Sequence, residues 1–192
     1  MNLSKIETNE HPNLQKILSI GEEVVNVDEL NKLLLNKENI IAYDGFEPSG
    51  RMHLAQGLLR AHNVNKFTSS GVKFKFWVAD WFALMNLKLG GDLKKIQNAG
   101  KLMIETWKAS GMKLENVEFI WSSDEINKRS DEYWKIVLDI ATNFNLTRIK
   151  KCTQIMGRDE SDDLAASQIF YPVMQAADVF FLNVDVCSLG MD

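Results

Sequence analysis

The sequence predicts an α/β protein built on a parallel sheet, and three observations carry that expectation. Short apolar runs of strand length, Asn39 to Tyr43, Lys73 to Ala79 and Val117 to Trp121, are separated by stretches of helical periodicity. The run from Lys73 alternates at first and then becomes wholly apolar, as a strand entering the middle of a sheet does. After the first run, Pro48-Ser49-Gly50 marks a tight loop that opens a proline-free helical stretch from His53 to Lys66. A strand, a loop and a helix N-terminus together gather unpaired backbone N–H groups and the positive end of a helix dipole. Such a junction suits a phosphate or another anion.

Composition narrows the class. A chain of 192 residues, 45% hydrophobic and 25% charged, fits one well-packed globular domain. Its formal net charge of -4 argues against non-specific nucleic-acid binding by the whole surface. Cys152 and Cys187 have no metal-ligand spacing, so no metal site and a reducing compartment are expected. The first residues are polar and acidic where a signal peptide needs a basic end and an apolar core. No apolar run approaches ~18 residues, so no membrane span and a cytoplasmic location are expected.

Taken in order, Pro12 to Asn36 reads as two short helices, with Pro12 at a first helical position and Asp28 as a cap. This segment is read as a packing appendage without catalytic residues. The stretch Tyr43 to Gly57 follows. At about 100° per residue, His53 and Gln56 fall on one side of their helix, while His62 falls on the opposite face. A lone histidine at a helix start is commonly satisfied by the backbone. Here the turn before it adds the Ser49 hydroxyl and a glycine, Gly50, that allows close backbone approach, and His53 supplies a donor that is charged or neutral near pH 7.

Asp80 ends the second strand, and two readings stay open for it: a cap for the next turn, or a ligand group at a strand end. Gly90-Gly91-Asp92 breaks the chain and caps a helix whose stripe is Leu93, Ile96, Gly100, Met103, Ile104 and Trp107, with Gly111 as its stop. Ser122 and Glu125 offer a capping box after the third strand. Tyr133, Ile136, Val137, Ile140, Ala141 and Phe144 form an amphipathic stripe, read as core or as a subunit interface. Arg148, Lys150, Lys151 and Arg158 form a basic stretch, read as a solvated face or as a contact to an RNA backbone.

Ser167 to Leu182 is apolar on most sides, yet Tyr171, Gln175 and Asp178 lie at i, i+4, i+7 on a single face. A buried carboxylate there without partners would cost on the order of several kcal/mol. Either an internal hydrogen-bond network or a small polar ligand meets this line. Gln175 and the Tyr171 hydroxyl can accept from an ammonium group, and Asp178 from a hydroxyl at the far end. A ligand with an amine at one end and a phenol at the other matches that layout.

The run Tyr43 to Gly57 resembles the first signature of class I aminoacyl-tRNA synthetases, with His53-Leu54-Ala55-Gln56 standing where that class has its His-x-Gly-His pattern. Ala55 and Gln56 depart from the usual glycine and second histidine, as also happens in tyrosine enzymes of eukaryotic and archaeal type. Together with Val78-Ala79-Asp80-Trp81-Phe82-Ala83 and Tyr171-Pro172-Val173-Met174-Gln175-Ala176-Ala177-Asp178, the ordered set is similar to tyrosyl-tRNA synthetases of plant and protist type from Ile40 to Asp192.

The resemblance implies a Rossmann-like nucleotide-binding fold, with residues 1–38 as a helical appendage and 39–192 as an incomplete catalytic domain. It implies that Tyr43 and Asp178 hold the phenolic hydroxyl of L-tyrosine and that Tyr171 and Gln175 hold its amino group. Gly45, Ser49, His53 and Gln56 would face ATP, with Ser49, His53 and Gln56 stabilising charge on the phosphates. Magnesium would accompany the ATP, tRNA(Tyr) would be the acceptor, and the full-length protein would be a homodimer. No Lys-Met-Ser-Lys-Ser-like second signature occurs. The chain is therefore expected to be the N-terminal part of a longer ligase and inactive, or nearly so, alone. Two alternatives stand beside this: a tryptophanyl-tRNA synthetase of the same fold, and a non-catalytic paralogue that keeps a tyrosine pocket or dimerises with a full enzyme.

Overall fold

The computed structural model describes residues 10–50, 52–153 and 163–190. Its centre is a sheet of four parallel strands, β1 (Ile41–Phe46), β2 (Lys73–Val78), β3 (Val117–Trp121) and β4 (Val186–Cys187), in the order β3-β2-β1-β4. The chain steps from β1 to β2 to β3 in one direction and then crosses to the far side of β1. That reversal creates a switch point between β1 and β4, the place where open α/β sheets hold ligands at the strands' carboxyl ends. The expected Rossmann-like α/β architecture is the observed one.

Two helices precede the sheet, α1 (Leu14–Leu18) and α2 (Val27–Asn36). The cap of α2 is Asn26, whose side chain accepts from the Glu29 N–H at 3.1 Å, and Asp28 instead sits in the first turn. Pro12 lies ahead of the α1 cap, Asn13. Leu14, Ile17, Leu30 and Leu34 are buried in one cluster with Ala42, Phe46, Phe74 and Phe76, so these helices help to close one face of the sheet.

Period-2 alternation divides the strands between two layers. Ala42 and Phe46 of β1 and Phe74, Phe76 and Val78 of β2 face α3 (Leu54–Thr68) and α5 (Leu93–Ala109). Tyr43 and Trp77 face a second core with Tyr133, Val137, Tyr171, Met174 and Phe181. These last come from α7 (Ser130–Asn143) and α9 (Ala166–Phe181). The stripe on α7 is thus core at Tyr133 and Val137, while Phe144 beyond its end is exposed.

Asp44 continues β1 past the strand end expected from sequence, on the Ala42 side, and is only 5% exposed. Arg60 on α3 reaches it at 3.0 Å. Burial raises the Asp44 carboxyl from 3.8 to about 6, with Arg60 pulling the other way. Because the folded pKa lies above the unfolded one, the folded state binds the extra proton between about pH 4 and 6, and stability falls as pH rises through that window. Asp44→Asn is expected to remove this slope and to gain on the order of 1–2 kcal/mol at pH 7.5 relative to wild type. Urea unfolding of both proteins at pH 4.5 and 7.5 checks it; an unchanged difference between the two pH values would contradict the assignment.

Asp80 opens α4 (Asp80–Met85) and is fully buried. It accepts from its neighbour's Trp81 N–H, from the hydroxyls of Ser122 and Ser123, from the Ser123 N–H and from Gln97, all between 2.6 and 3.0 Å. Every lone-pair direction of the carboxylate is used, which decides between the two readings in favour of structure. α6 (Ser122–Lys128) lacks the expected capping box because it begins at Ser122 itself, with Trp121 in the cap position, and the Ser122 hydroxyl accepts from the Trp81 N–H while donating to Asp80.

The α5 cap at Asp92 forms as expected, accepting from Lys95 N–H at 3.1 Å. A Cβ at Gly100 would stand 2.7 Å from Trp121 and 3.1 Å from Pro48, so the glycine lets α5 lie directly against the loop after β1. The C-terminus of α9 is held by two cations: Lys75 donates to Leu182 O at 2.9 Å, and Arg129 donates to Phe181 O at 3.3 Å with its guanidinium over the Phe181 ring. Both also complement the helix dipole. At the sheet edge, Asp185 pairs with Lys37 and accepts from Ile41 N–H. No helix among the described residues is long and apolar enough to cross a membrane.

Candidate amino-acid and nucleotide site

Four of the residues singled out in the sequence converge behind β1. Tyr43 (2% exposed) projects from the strand toward α9, whose Tyr171 (8%) and Asp178 (1%) are buried on the facing side. Gln175 lies between them along the same helix face, half-buried. Gly45 is two residues from Tyr43 on the same side of the strand, and a Cβ there would be 2.7 Å from the Tyr43 hydroxyl. The absent side chain is what lets the phenol lie down over β1.

Asp178 is the centre of one end. Its Oδ1 accepts from the Tyr133 hydroxyl at 2.9 Å, and its Oδ2 is buried with no partner among the described residues. Burial raises the Asp178 carboxyl well above the ordinary range, and the Tyr133 hydroxyl and the adjacent Trp77 indole work against that rise. The Trp77 nitrogen is itself buried and makes no bond of hydrogen-bond geometry. Burial, followed by the Asp178 charge, also pushes the Tyr43 phenol upward, so Tyr43 keeps its proton and acts as a donor. An acceptor without a partner among the described residues and a phenol donor that feels its charge therefore share this end. A ligand hydroxyl, which donates once and accepts, completes both.

The other end holds Tyr171 and Gln175. Tyr171 donates to Glu47 Oε1 at 2.5 Å, and burial together with the Glu47 charge raises the phenol far above its usual range. Gln175 Oε1 is buried and without a partner among the described residues. Glu47 is the residue that sequence reasoning missed: it lies inside the quoted loop but was given no role. Its only local signal is a carboxylate between a strand end and a proline. Tyr133 was read as a core or interface residue and turns out to orient Asp178.

Ser49, His53 and Gln56 lie apart from this pocket, all exposed at the start of α3. His53 is the N-cap, and Gln56 Oε1 accepts from the His53 N–H at 3.3 Å. Both readings of His53 are thus compatible: it closes the helix start and leaves its imidazole in solvent. A broad cleft crosses the carboxyl ends of β1 and β4 on the other side of the strand, with Glu47, Ser49, Gly50, Gln56 and Ser188 among its lining. Glu47 is common to cleft and pocket. Arg148, Lys150 and Lys151, on α8 (Leu146–Cys152), are exposed, and Arg158 lies outside the described residues.

Comparison with known proteins shows the family of the chain. The family model described as tRNA synthetases class I (W and Y) matches residues 35–192. Tyrosine–tRNA ligase 1, cytoplasmic, of Arabidopsis thaliana is 57% identical over 176 residues, covering 92% of this chain and 46% of the relative. Among solved structures, Leishmania major tyrosyl-tRNA synthetase in complex with tyrosinol superposes with a TM-score of 0.90 at 53% identity, covering 94% of this chain and 31% of that one. Pyrococcus horikoshii tyrosyl-tRNA synthetase complexed with L-tyrosine gives a TM-score of 0.84 at 34% identity, covering 93% and 49%. The chain spans about half the length of the Arabidopsis and Pyrococcus proteins and about a third of the Leishmania one.

Proposed function

The chain belongs to the class I tRNA synthetases of the tryptophan and tyrosine family, and from that premise we propose that it carries the tyrosine-activating half of a cytoplasmic tyrosine–tRNA ligase. The carrying observation is the pair of buried acceptors without partners among the described residues, Asp178 Oδ2 and Gln175 Oε1, on one face of α9. Their separation by one helical turn, with Tyr43 at one end and Tyr171 at the other, fits a ligand bearing a phenol and an ammonium. A site that pairs a substrate hydroxyl rejects the analogue lacking it, a rule for which tyrosine-activating enzymes are themselves the standard illustration.

In this reading the tyrosine carboxylate attacks the α-phosphate of ATP, forming tyrosyl-adenylate and releasing pyrophosphate, and the tyrosyl group then passes to tRNA(Tyr). No covalent enzyme intermediate is required. Tyr43 and Asp178 fix the phenol; Tyr171 and Gln175 fix the amine; and the loop at Gly45 and Ser49 with the α3 start at His53 and Gln56 meets the nucleotide. Magnesium enters as a companion of ATP. The protein's contribution is positioning and stabilisation of growing phosphate charge.

Residues 39–192 form the catalytic unit in this proposal and residues 1–38 its helical extension. A second copy of the chain is the proposed partner, supported by Trp134 and Leu138, one turn apart on α7 and 41% and 61% exposed, with Phe144 and Leu146 beyond them at 51% and 58%.

The test is amino-acid-dependent exchange of pyrophosphate into ATP by the full-length gene product. Exchange with tyrosine and not with tryptophan is expected; the reverse would assign the chain to the tryptophan branch, and none with either would leave a binding paralogue. His53→Ala is expected to lower the tyrosine-dependent rate by about tenfold or more with tyrosine affinity unchanged, as loss of a donor acting on phosphate charge does.

A further inference from the structure

We propose that Glu47 is a positioning residue of the amino-acid site, which accepts the Tyr171 O–H and so makes that end of the pocket selective for a primary ammonium group. The inference rests on the tyrosine reading above. It goes beyond it by explaining why a tyrosine hydroxyl, which can donate or accept, only accepts here.

A phenol has one proton and two lone pairs. The Tyr171 proton is directed at Glu47 Oε1 at 2.5 Å. Glu47 is not free to turn away, because Asn86 Nδ2 donates to both of its oxygens at 3.2 and 3.1 Å and Lys88 stands 3.7 Å from Oε2. Asn86 is 3% exposed, and the direction of its amide is set in turn. Gln168 Nε2 points at Asn86 Oδ1 at 3.5 Å, and Gln168 Oε1 accepts the backbone N–H of Ala165 at 3.0 Å.

The series therefore starts from a backbone donor at the N-terminus of α9, whose polarity cannot be reversed. It runs through Gln168 and Asn86 to Glu47, where Tyr171 donates from the other side. Each amide in it has its orientation dictated by the one before. Tyr171 is left with lone pairs only toward the pocket, beside Gln175 Oε1, which is buried and has no partner among the described residues. Two acceptors facing inward suit a group with three donors and a positive charge. A ligand that brings only acceptors to that end meets no donor from the Tyr171 hydroxyl.

The test uses the full-length protein and calorimetric binding of three probes: L-tyrosine, tyramine, and 3-(4-hydroxyphenyl)propionate, which lacks the amine. Glu47→Gln is nearly isosteric and places an amide donor against Tyr171, turning the phenol proton toward the pocket. Affinity for L-tyrosine and tyramine is expected to fall about tenfold or more, while that for the propionate changes by less than about threefold. Adding Glu47→Gln to Tyr171→Phe is expected to cost little beyond Tyr171→Phe alone, since one residue acts through the other.

An equal loss for all three probes would mean that Glu47 only supports packing, and no loss would remove it from the site; either result overturns the proposal. Should Glu47→Gln not fold, Asn86→Ala releases Glu47 without touching Tyr171, and the same probe pattern is expected in weaker form. A wild-type protein that binds tyrosine no better than phenylalanine would instead sink the tyrosine reading itself, a different outcome visible before any variant is made.

Discussion

Replacing Asp178 by asparagine is expected to weaken tyrosine binding about a hundredfold while leaving the fold intact. The asparagine carbonyl can keep the Tyr133 hydroxyl that Asp178 Oδ1 accepts at 2.9 Å. Its amide then occupies the place of Oδ2, the buried acceptor without a partner among the described residues. A donor now meets the incoming phenol, which already receives the Tyr43 hydroxyl, and the phenol proton is left unpaired. Losing a buried acceptor and burying an unpaired donor together account for roughly 2–3 kcal/mol. The loss should be specific to the hydroxyl: phenylalanine, which brings no such group, should bind the variant no worse than wild type. Titration of both amino acids, alongside a thermal melt to confirm folding, reads the effect directly. Equal tyrosine affinity in the two proteins would remove Asp178 from recognition.

The largest stability effect is expected at a residue outside the pocket. Asp80→Ala strands the Ser122 and Ser123 hydroxyls, the Ser123 N–H and the Gln97 amide, all of which now end on one buried carboxylate. Loss of such a network is expected to cost on the order of 3–4 kcal/mol, measured as a shift of the urea midpoint at constant m-value. Tyrosine affinity in the folded fraction should be unaffected, because Asp80 touches the ends of β2 and β3 and none of the four pocket residues. A variant with wild-type stability but impaired binding would revive the ligand reading of this aspartate.

These two aspartates mark what the sequence discloses and what it hides. Asp178 was legible because a carboxylate on the apolar helix α9, in line with Tyr171 and Gln175, is costly without a purpose. Asp80 was ambiguous because its partners, Gln97, Ser122 and Ser123, lie 17 to 43 residues away. Strand β3 was legible to the residue, since its apolar run ends where Ser122 begins. Strand β1 was placed short, because Asp44 reads as a loop residue until Arg60 is seen beside it. Glu47 was invisible for the same reason on a larger scale: Tyr171 is 124 residues downstream. Local pattern gives elements and faces, while the satisfaction of buried charge is settled only by tertiary neighbours.

The cap of α2 makes the same point at short range. Asn26 and Asp28 are both competent caps, and Asn26 takes the role by starting the helix one residue after itself, leaving Asp28 to favour the positive end of the dipole.

The central claim is that the pocket between β1 and α9 selects an amino acid by its phenolic hydroxyl. Calorimetric titration of the full-length protein with L-tyrosine and L-phenylalanine tests it most directly. Saturable tyrosine binding at one site per chain, with phenylalanine weaker by about a hundredfold or more, is the result predicted from the unpaired Asp178 Oδ2. Equal affinities, or no tyrosine binding at all, would contradict it.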